Sequence, residues 1–433
     1  MAPKSWLDIP RGSHFSLANI PFGVVTTPKC SDRHAAIAVG DHVLDLHEFA
    51  QHQGFSGLED STASLIASFS KPVLNDFAAL GQEVHTNVRR YLQEILKYDT
   101  RFPSLLKSNV GAKESCLFHK DQVKMHLPMK IAGFSDFFAG KHHAYKCGRI
   151  LRDPSKALSA NYFHLPIAYH SRASSVIVSG TDIRRPLGQF LQNPSDKEPS
   201  FGPCSQLDIE VELGALICRG NSLGEAIDVN KADEYIFGFV CLNDWGARDF
   251  YSWEAVPLGA FNSKSFATTI SAWVILKDAL EPFRVKGIEN DTKLHPYLQQ
   301  RTVENVYDMK LETSIRASNG DSGILSRTNG RYLVFSFEQM IAHHTVSGCP
   351  LEVGDLIASG TLAGPEPGSF GCFLEGSNGG KQGIDISATM RRTYLEDGDS
   401  INIRGWCGED DLSLVGFGDC EGTILPPIRP AWM

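Results

Sequence analysis

The chain has 433 residues, 42% of them apolar, and a formal net charge of −9. This length and apolar content suffice for a globular protein of two domains. The negative charge and the lack of a Lys/Arg-rich run argue against a nucleic-acid partner, and no apolar run approaches the roughly 20 residues that span a bilayer. Because the first ten residues also lack the apolar stretch of a signal peptide, we expect a cytoplasmic protein with no membrane association.

The first part of the chain predicts a small β unit followed by helices. Residues 35–50 have the pattern of a hairpin, with apolar residues on both sides of a Gly40-Asp41 turn. From Ser64 to Lys97, apolar residues recur at the spacing of an amphipathic helix. Periodicity is weak between Asn109 and Met129, so we predict an N-terminal domain of residues 1–128 and a second domain of residues 129–433.

The second domain is predicted to be mostly β, because helical patterns are few and short apolar segments alternate with Gly and Pro. The predicted strands are Ser175–Ser179, Leu207–Ile217, Tyr235–Leu242, Ser271–Leu276, Tyr332–Phe335 and Ile401–Ile403.

The segment Ser135–His143 holds the first candidate catalytic residue. Ser135 is suited to cap a short helix, on which Asp136 and His143, seven residues apart, would share a face. A histidine beside an acid is a reasonable general base. The alternative is that His143 is a structural or surface histidine.

Three acidic residues alternate with apolar residues in the predicted strand Leu207–Leu213. The alternation places Asp208, Glu210 and Glu212 on one face. This pattern has two interpretations: a solvated edge strand, or an enclosed face that needs a hard cation such as Ca²⁺ or Mg²⁺, since ligands that are all oxygen favour those ions over zinc.

A further acid follows the buried-type strand Tyr235–Leu242. Functional residues are often found where a strand ends, which makes Asp244 a candidate metal ligand. An Asx turn with a salt-bridged Arg248 is the alternative.

The sequence gives no support for a serine hydrolase, a zinc motif or a disulfide framework. The segment Gly220–Gly224 matches the G-x-S-x-G string of serine hydrolases, but the neighbouring sequence is not βαβ, and a glycine-rich surface loop is the better interpretation. The ten cysteines include no C-x-x-C pair, so neither a zinc motif nor a disulfide framework is indicated.

Taken together, these segments resemble the fumarylacetoacetase family. The similar segments run in order from about residue 15 to residue 425. They are Asp136-Phe137, His143-Ala144, His164–His170, Arg172–Ser175, Ile183–Pro186, Asp208–Glu212, Asn243–Trp245, Ala247–Asp249, Trp253-Glu254, Val256–Gly259, Lys264–Phe266, Thr268–Ile270, His343-His344 and Gly354–Thr361.

The resemblance implies a fold, an activity and an assembly. The expected fold is mainly β with some helices, an SH3-like N-terminal barrel followed by a C-terminal β-roll that holds the active site. The expected enzyme is a homodimeric hydrolase that acts on a small diketo acid. It cleaves a carbon-carbon bond of fumarylacetoacetate to give fumarate and acetoacetate, in the catabolism of tyrosine and phenylalanine.

The resemblance also implies roles for individual residues. Four carboxylates would hold a catalytic Ca²⁺ or Mg²⁺, with two further residues, Lys264 and Thr268, beside a second, structural cation. His143 would be the general base, oriented by Glu375, and Arg248 and Lys264 would stabilise the oxyanion. Substrate contacts would come from Arg152, Tyr169 and Thr361. The four carboxylate ligands are Asp136, Glu210, Glu212 and Asp244.

Three positions depart from the family pattern. Phe138 and Ala255 stand where the family usually has a tyrosine that contacts substrate, and Tyr251 replaces a glutamine of the oxyanion hole. Sequence drift within a true fumarylacetoacetase is one explanation. A paralogue that applies the same chemistry to another acid, by hydrolysis, decarboxylation or condensation, is the second. A catalytically dead binding protein is less favoured, because the metal ligands, His143 and Glu375 are all retained.

Overall fold

The first part of the chain contains an antiparallel sheet of five strands. The computed structural model describes residues 4–59, 61–193, 195–410 and 412–432. The predicted hairpin is confirmed up to residue 45, with Gly40 at φ 57° in the turn, where glycine is favoured. In spatial order the strands are Leu117–His119, His42–Asp45, His34–Val39, Phe22–Thr26 and Lys124–His126.

Helices cover this first sheet. The hairpin prediction is wrong beyond residue 45, because the Asp45 side chain accepts a hydrogen bond from the Glu48 amide and caps a helix there. The single helix predicted from Ser64 to Lys97 is divided into three, the longest of which buries Val88, Leu92 and Ile95. The helices are Leu46–Gln51, Ala63–Ser68, Asn75–Ala78, Gln82–Leu96 and Val110–Cys116, with a 3₁₀ turn at Lys120–Gln122.

A central sheet of eight strands carries the candidate site. Its middle strands, Val211–Ile217 and Ile236–Asp244, are antiparallel and buried throughout. Alternate residues of these strands enter two different hydrophobic cores, so both faces of the sheet are covered. In spatial order the strands are Ala168–His170, Phe134–Phe137, Leu356–Ala358, Val211–Ile217, Ile236–Asp244, Thr268–Ile270 and Val176–Val178, and Ile275–Leu276 also pairs with Ile236–Asp244.

A second sheet of five strands packs against the central sheet. Its strands are Ser322–Asn329, Lys310–Arg316, Ser400–Cys407, Val415–Leu425 and Ile183–Arg184. The described residues also form four two-stranded pairs: Leu187–Phe190 with Ser200–Pro203, Leu207–Asp208 with Gly246–Ala247, Arg284–Val285 with Val306–Tyr307, and Ile384–Asp385 with Arg391–Arg392.

Helices are short in this second part of the chain, as predicted. They are Lys141–Leu151, Arg248–Glu254, Lys277–Leu280, Phe337–Thr345 and Phe373–Gly376, with 3₁₀ turns at Pro154–Lys156, Ala173–Ser175, Ala232–Tyr235, Glu281–Phe283 and Pro296–Leu298. Within the described ranges, no helix combines the length and apolar character needed to cross a membrane.

The predicted fold class, mainly β with some helices, is confirmed, but several of the predicted strands need correction. The strand predicted at Tyr332–Phe335 is wrong, because only Leu333 pairs there, in an isolated bridge with Gly140. The strand predicted at Ser271–Leu276 is reduced to Ile275–Leu276. The segment Gly220–Gly224 is an irregular loop with Ser222 exposed, so it is not a nucleophile elbow.

Candidate active site

A cavity of about 280 Å³ opens beside the central sheet. Its wall combines residues from the strand Phe134–Phe137, the helix Lys141–Leu151 and the strand Val211–Ile217 with more distant segments. Most of the residues singled out in the sequence line it: Asp136, Phe138, His143, Arg152, Tyr169, Glu210, Glu212, Arg248, Tyr251, Lys264 and Thr361.

His143 lies in the first turn of the helix Lys141–Leu151, which begins after Gly140. The helix predicted from Ser135 is wrong, because Asp136 belongs to the strand Phe134–Phe137, which pairs with Leu356–Ala358. Asp136 and His143 therefore do not share a helix face. They meet because the strand and the helix that follows it both border the cavity.

A buried carboxylate orients His143. The Nδ1 atom of His143 is 2.7 Å from Glu375 Oε1, and both side chains are almost fully buried. Burial alone would lower the pKa of His143, but the charge of Glu375 raises it to about 10. Since every hydrogen bond of this ring to a described residue uses Nδ1, Nε2 is left for the cavity.

Three carboxylates converge on the same cavity. Oxygen atoms of Asp136, Glu210 and Glu212 lie within 4.8 Å of one another, and all three residues are buried. The solvated edge-strand interpretation is therefore wrong. Burial, with repulsion from Asp244 and Glu210, raises the pKa of Asp136 to about 8, and burial with repulsion from Asp136 raises that of Glu212 well above its usual range.

This carboxylate cluster fits a hard cation. Asp136 Oδ1 and Glu212 Oε2 are buried and have no hydrogen-bond partner among the described residues. Unpaired buried oxygens are costly, and their negative charges repel one another unless a proton or a cation lies between them. Their all-oxygen donor set is the type that Ca²⁺ and Mg²⁺ prefer.

Asp244 lies behind this cluster in a network of hydrogen bonds. It accepts hydrogen bonds from Tyr169 Oη at 2.9 Å and Thr268 Oγ1 at 2.6 Å. Lys264 Nζ lies 2.9 Å from Asp244 Oδ2 and 2.5 Å from Glu210 Oε2. The Asx turn of the alternative interpretation is wrong, because Asp244 is still in the strand Ile236–Asp244. Its other part is confirmed, since Arg248 is salt-bridged, to Asp208 and Glu210.

Arg248 connects the acidic strand to the cavity. Its Nε donates to Asp208 Oδ2 at 2.8 Å and its Nη1 lies 2.9 Å from Glu210 Oε1. Its buried Nη2 has no hydrogen-bond partner in the described part of the chain. Arg248 thus keeps its Nη2 amino group available to an oxygen in the cavity that it lines.

Asp208 does not join the other carboxylates, although strict alternation predicted a shared face. The strand is interrupted between Leu207–Asp208 and Val211–Ile217. Asp208 instead accepts hydrogen bonds from the amides of Phe373 and Leu374 at 2.5 and 3.0 Å, at the start of the helix that carries Glu375.

Comparison with known proteins decides the family. The family model described as fumarylacetoacetate hydrolase C-terminal matches residues 134–425, and that described as fumarylacetoacetase N-terminal matches residues 18–128. The chain belongs to the fumarylacetoacetase family.

Similar family members extend over nearly the whole chain. Fumarylacetoacetase fahA of Aspergillus fumigatus is 49% identical, with 98% of this chain and 99% of the relative covered. The fumarylacetoacetases of Arabidopsis thaliana and Homo sapiens are 43% and 39% identical, with 98% and 99% of this chain and 98% and 100% of those relatives covered.

A solved structure shares the fold. A fumarylacetoacetate hydrolase from Exiguobacterium antarcticum aligns with a TM-score of 0.51 at 16% identity, covering 94% of this chain and 99% of that chain.

The three positions that depart from the family pattern differ in their location. Phe138 presents its ring edge-on to His143, with centroids 5.6 Å apart, and Tyr251 lines the cavity with 36% of its surface exposed. Ala255, which follows the helix Arg248–Glu254, is not among the described residues of the wall.

Two residues that the sequence analysis overlooked lie beside His143. The Sγ atoms of Cys147 and Cys372 are 3.6 and 3.9 Å from His143 Nδ1. No C-x-x-C pattern marks them, because each cysteine is close in sequence to a different type of ligand, as His143-x₃-Cys147 and Cys372-x₂-Glu375.

Proposed function

We propose that this enzyme hydrolyses fumarylacetoacetate to fumarate and acetoacetate. The observation that carries the proposal is the convergence on one cavity of a His143–Glu375 pair and the carboxylates of Asp136, Glu210 and Glu212. Full-length similarity to fumarylacetoacetases supports the same substrate, and no observation favours the alternative of another acid.

The metal that we propose is Ca²⁺ or Mg²⁺, held by Asp136, Glu210 and Glu212 with the support of Asp244. The unpaired oxygens of Asp136 and Glu212 support this assignment. When bound, such a cation supplies Lewis-acid stabilisation of negative charge on substrate oxygens. A second, structural cation near Lys264 and Thr268 stays a prediction.

His143 is proposed to activate water. Its Nδ1–H donates to Glu375, and the positive charge of a bound cation would lower the raised pKa of the ring, so that the deprotonated Nε2 can accept a proton from a water molecule in the cavity. The hydroxide adds to a ketone carbon of the substrate, and the carbon-carbon bond then breaks. The released carbon carries its negative charge as an enolate until it takes up a proton, which completes acetoacetate.

The oxygen that becomes negative during this addition needs hydrogen-bond donors. Arg248 Nη2 is buried and unpaired within the described residues, which supports its proposed role as an oxyanion donor. Lys264 directs its ammonium group to Glu210 and Asp244, so it can contribute only by releasing one of them. Arg152, Tyr169 and Thr361 line the cavity and are the proposed substrate contacts.

Activity in the presence and absence of metal tests this function. The purified protein should consume fumarylacetoacetate, measured by absorbance, and release fumarate and acetoacetate in equal amounts. A chelator should abolish turnover and Ca²⁺ or Mg²⁺ should restore it. Glu212→Gln should lose activity and metal binding, whereas the exposed control Glu366→Gln should keep both.

Two results would contradict the proposal. Failure of the metal-loaded enzyme to form the two products would exclude the reaction. Full activity of the metal-stripped enzyme in chelator would exclude the metal.

The expected homodimer also stays a prediction, which light scattering can test.

A further inference from the structure

A second group of potential metal ligands lies behind His143. His143 Nδ1, Cys147 Sγ, Cys372 Sγ and a carboxylate oxygen of Glu375 all lie within 4.8 Å of one another. The first two residues are four positions apart on the helix Lys141–Leu151 and therefore share its face. Of the other two, Cys372 is the N-cap of the helix Phe373–Gly376 and Glu375 lies in its first turn.

The spacing of these atoms suits a tetrahedral cation. A zinc ion with Zn–S of about 2.3 Å and Zn–N or Zn–O of about 2.0 to 2.1 Å places a sulfur ligand about 3.6 Å from a nitrogen or oxygen ligand. The distances to His143 Nδ1 are 3.6 Å from Cys147 Sγ and 3.9 Å from Cys372 Sγ, and Cys372 Sγ is 3.6 Å from Glu375 Oε1. Of these four pairs, the His143–Glu375 pair at 2.7 Å is too short for the geometry and would have to lengthen.

The cluster also has an unpaired carboxylate oxygen that can ligate a cation, and a route by which a cation can enter. Glu375 Oε2 is buried without a hydrogen-bond partner among the residues described, and Lys146 Nζ lies 3.7 Å from it. His143 and Cys147 both line the active-site cavity, so a cation can reach them from solvent. Two thiolates, an imidazole and a carboxylate form a softer donor set than the neighbouring carboxylates, and softer sets select zinc-like ions.

We propose that His143, Cys147, Cys372 and Glu375 form a binding site for a thiophilic divalent cation such as Zn²⁺, and that its occupation inhibits the enzyme. This site is distinct from the carboxylate cluster of Asp136, Glu210 and Glu212. The inhibitory effect rests on the proposed function, whereas cation binding does not.

Inhibition follows from the protons of the imidazole. A neutral imidazole carries one proton, and when Nδ1 binds a cation that proton is on Nε2. Nε2 then has no lone pair with which to accept a proton from water, and Glu375 no longer orients the ring through Nδ1–H. Binding also releases the two thiol protons, since the thiolate is the form that ligates a metal.

Cobalt can serve as the spectroscopic probe of this site. Co²⁺ is added to the reduced, full-length protein under anaerobic conditions with Ca²⁺ or Mg²⁺ in excess, and thiolate-to-cobalt charge-transfer absorption is recorded. We expect the absorption in the parent and in the control Cys218→Ala, which removes a buried thiol that packs in a different hydrophobic core from Cys147 and Cys372. It should be lost in Cys147→Ala and in Cys372→Ala, with circular dichroism confirming that each variant is folded.

Zinc inhibition provides the second measurement. With the same excess of Ca²⁺ or Mg²⁺, the Zn²⁺ concentration that halves each variant's own activity should rise in both cluster variants. We expect a rise of at least the roughly 10- to 100-fold that loss of an outer-shell partner costs a metal site. The Cys218→Ala value should stay close to that of the parent.

The possible failures are distinguishable. Absence of thiolate absorption from the parent, or its persistence in both cluster variants, would overturn the site. Equal zinc inhibition in parent and cluster variants would overturn its inhibitory role. If the parent does not hydrolyse fumarylacetoacetate, the proposed function fails, but the absorption still decides whether the site exists.

Discussion

Two buried histidines, His85 in the N-terminal part and His143 in the cavity wall, are 3% and 4% exposed. Their pKa values nevertheless move in opposite directions. Burial lowers the pKa of His85 to about 4, whereas Glu375 overcomes the same effect at His143 and raises its pKa to about 10. Burial therefore does not determine the charge of a histidine; the group that accepts its hydrogen bond does.

The partners also explain what each ring can do. His85 Nε2 is 3.0 Å from the carbonyl oxygens of Phe77 and Ala78, which are at the end of a short helix. Its proton is committed to these carbonyls, and the ring packs edge-on against Phe77 and Phe237. His143 uses a carboxylate instead and keeps Nε2 for the cavity. The first arrangement stabilises the fold, and the second is suited to proton transfer.

The largest expected effect separates the two histidines by function. His143→Ala should lower kcat by about 10² to 10⁴, the usual contribution of a general base. His85→Ala should leave kcat within a few-fold but lower the free energy of unfolding by about 2 kcal/mol, because it removes buried packing and a helix-end hydrogen bond. Steady-state kinetics and urea unfolding measure the two quantities.

His142→Ala is the matched control, since His142 faces Tyr332 and is not among the described residues of the cavity wall. It should keep normal turnover. A His143→Ala enzyme within a few-fold of the parent, together with an inactive His142→Ala enzyme, would reverse the assignment.

An intermediate effect is expected when the partner of His143 loses its charge. Glu375→Gln can still accept the Nδ1–H hydrogen bond, but the charge that most strongly opposes burial is lost and the pKa of His143 should fall. We expect kcat to drop about 10- to 100-fold and the acidic limb of the kcat/KM profile to move to lower pH, since the base stays unprotonated further into acid. An unchanged acidic limb would mean that Glu375 only positions the ring.

The smallest effect concerns the pH dependence of stability. Because the pKa of His85 is about 4 when folded and about 6.5 when unfolded, the unfolded state binds more protons in this interval. The His85 contribution is complete above pH 6.5 and falls by about 3 kcal/mol as the pH decreases to 4.

His85→Gln keeps an N–H donor but does not titrate, so its unfolding free energy should approach that of the parent as the pH falls from 7 to 4. Urea unfolding at several pH values measures this convergence. Parallel profiles would show that His85 is not held neutral by the fold.

Short sequence patterns correctly predicted the elements whose structure is determined by residues adjacent in sequence. The hairpin around Gly40 follows from its turn, and Ile236–Asp244 follows from a continuous apolar run. The division of the helix between residues 63 and 96 was missed because its apolar residues keep a helical spacing, although Pro72 and Gly81 mark the two breaks. The helix wrongly predicted from Ser135 shows the converse, since pairing with Leu356–Ala358, more than 200 residues away, makes that segment a strand.

The site required information that spacing alone does not hold. Glu375 is 232 positions from His143, and only resemblance to the family suggested the pair. The acids at 210 and 212 were identified from alternation, but alternation also grouped Asp208 with them, because the interruption at residues 209 and 210 depends on pairing with Gly246–Ala247. The roles of Glu210 and Glu212 as metal ligands stay predictions.

The position of Asp208 limits how this scaffold can be redesigned. A different metal chemistry could be attempted by exchanging Glu210 or Glu212, whose oxygens border the cavity. Exchange of Asp208 would instead remove the acceptor shared by two helix amides and Arg248, leaving buried donors unpaired. The helix that bears Glu375 would then lose its anchor, so an engineer should hold residue 208 fixed while varying the acids that follow it.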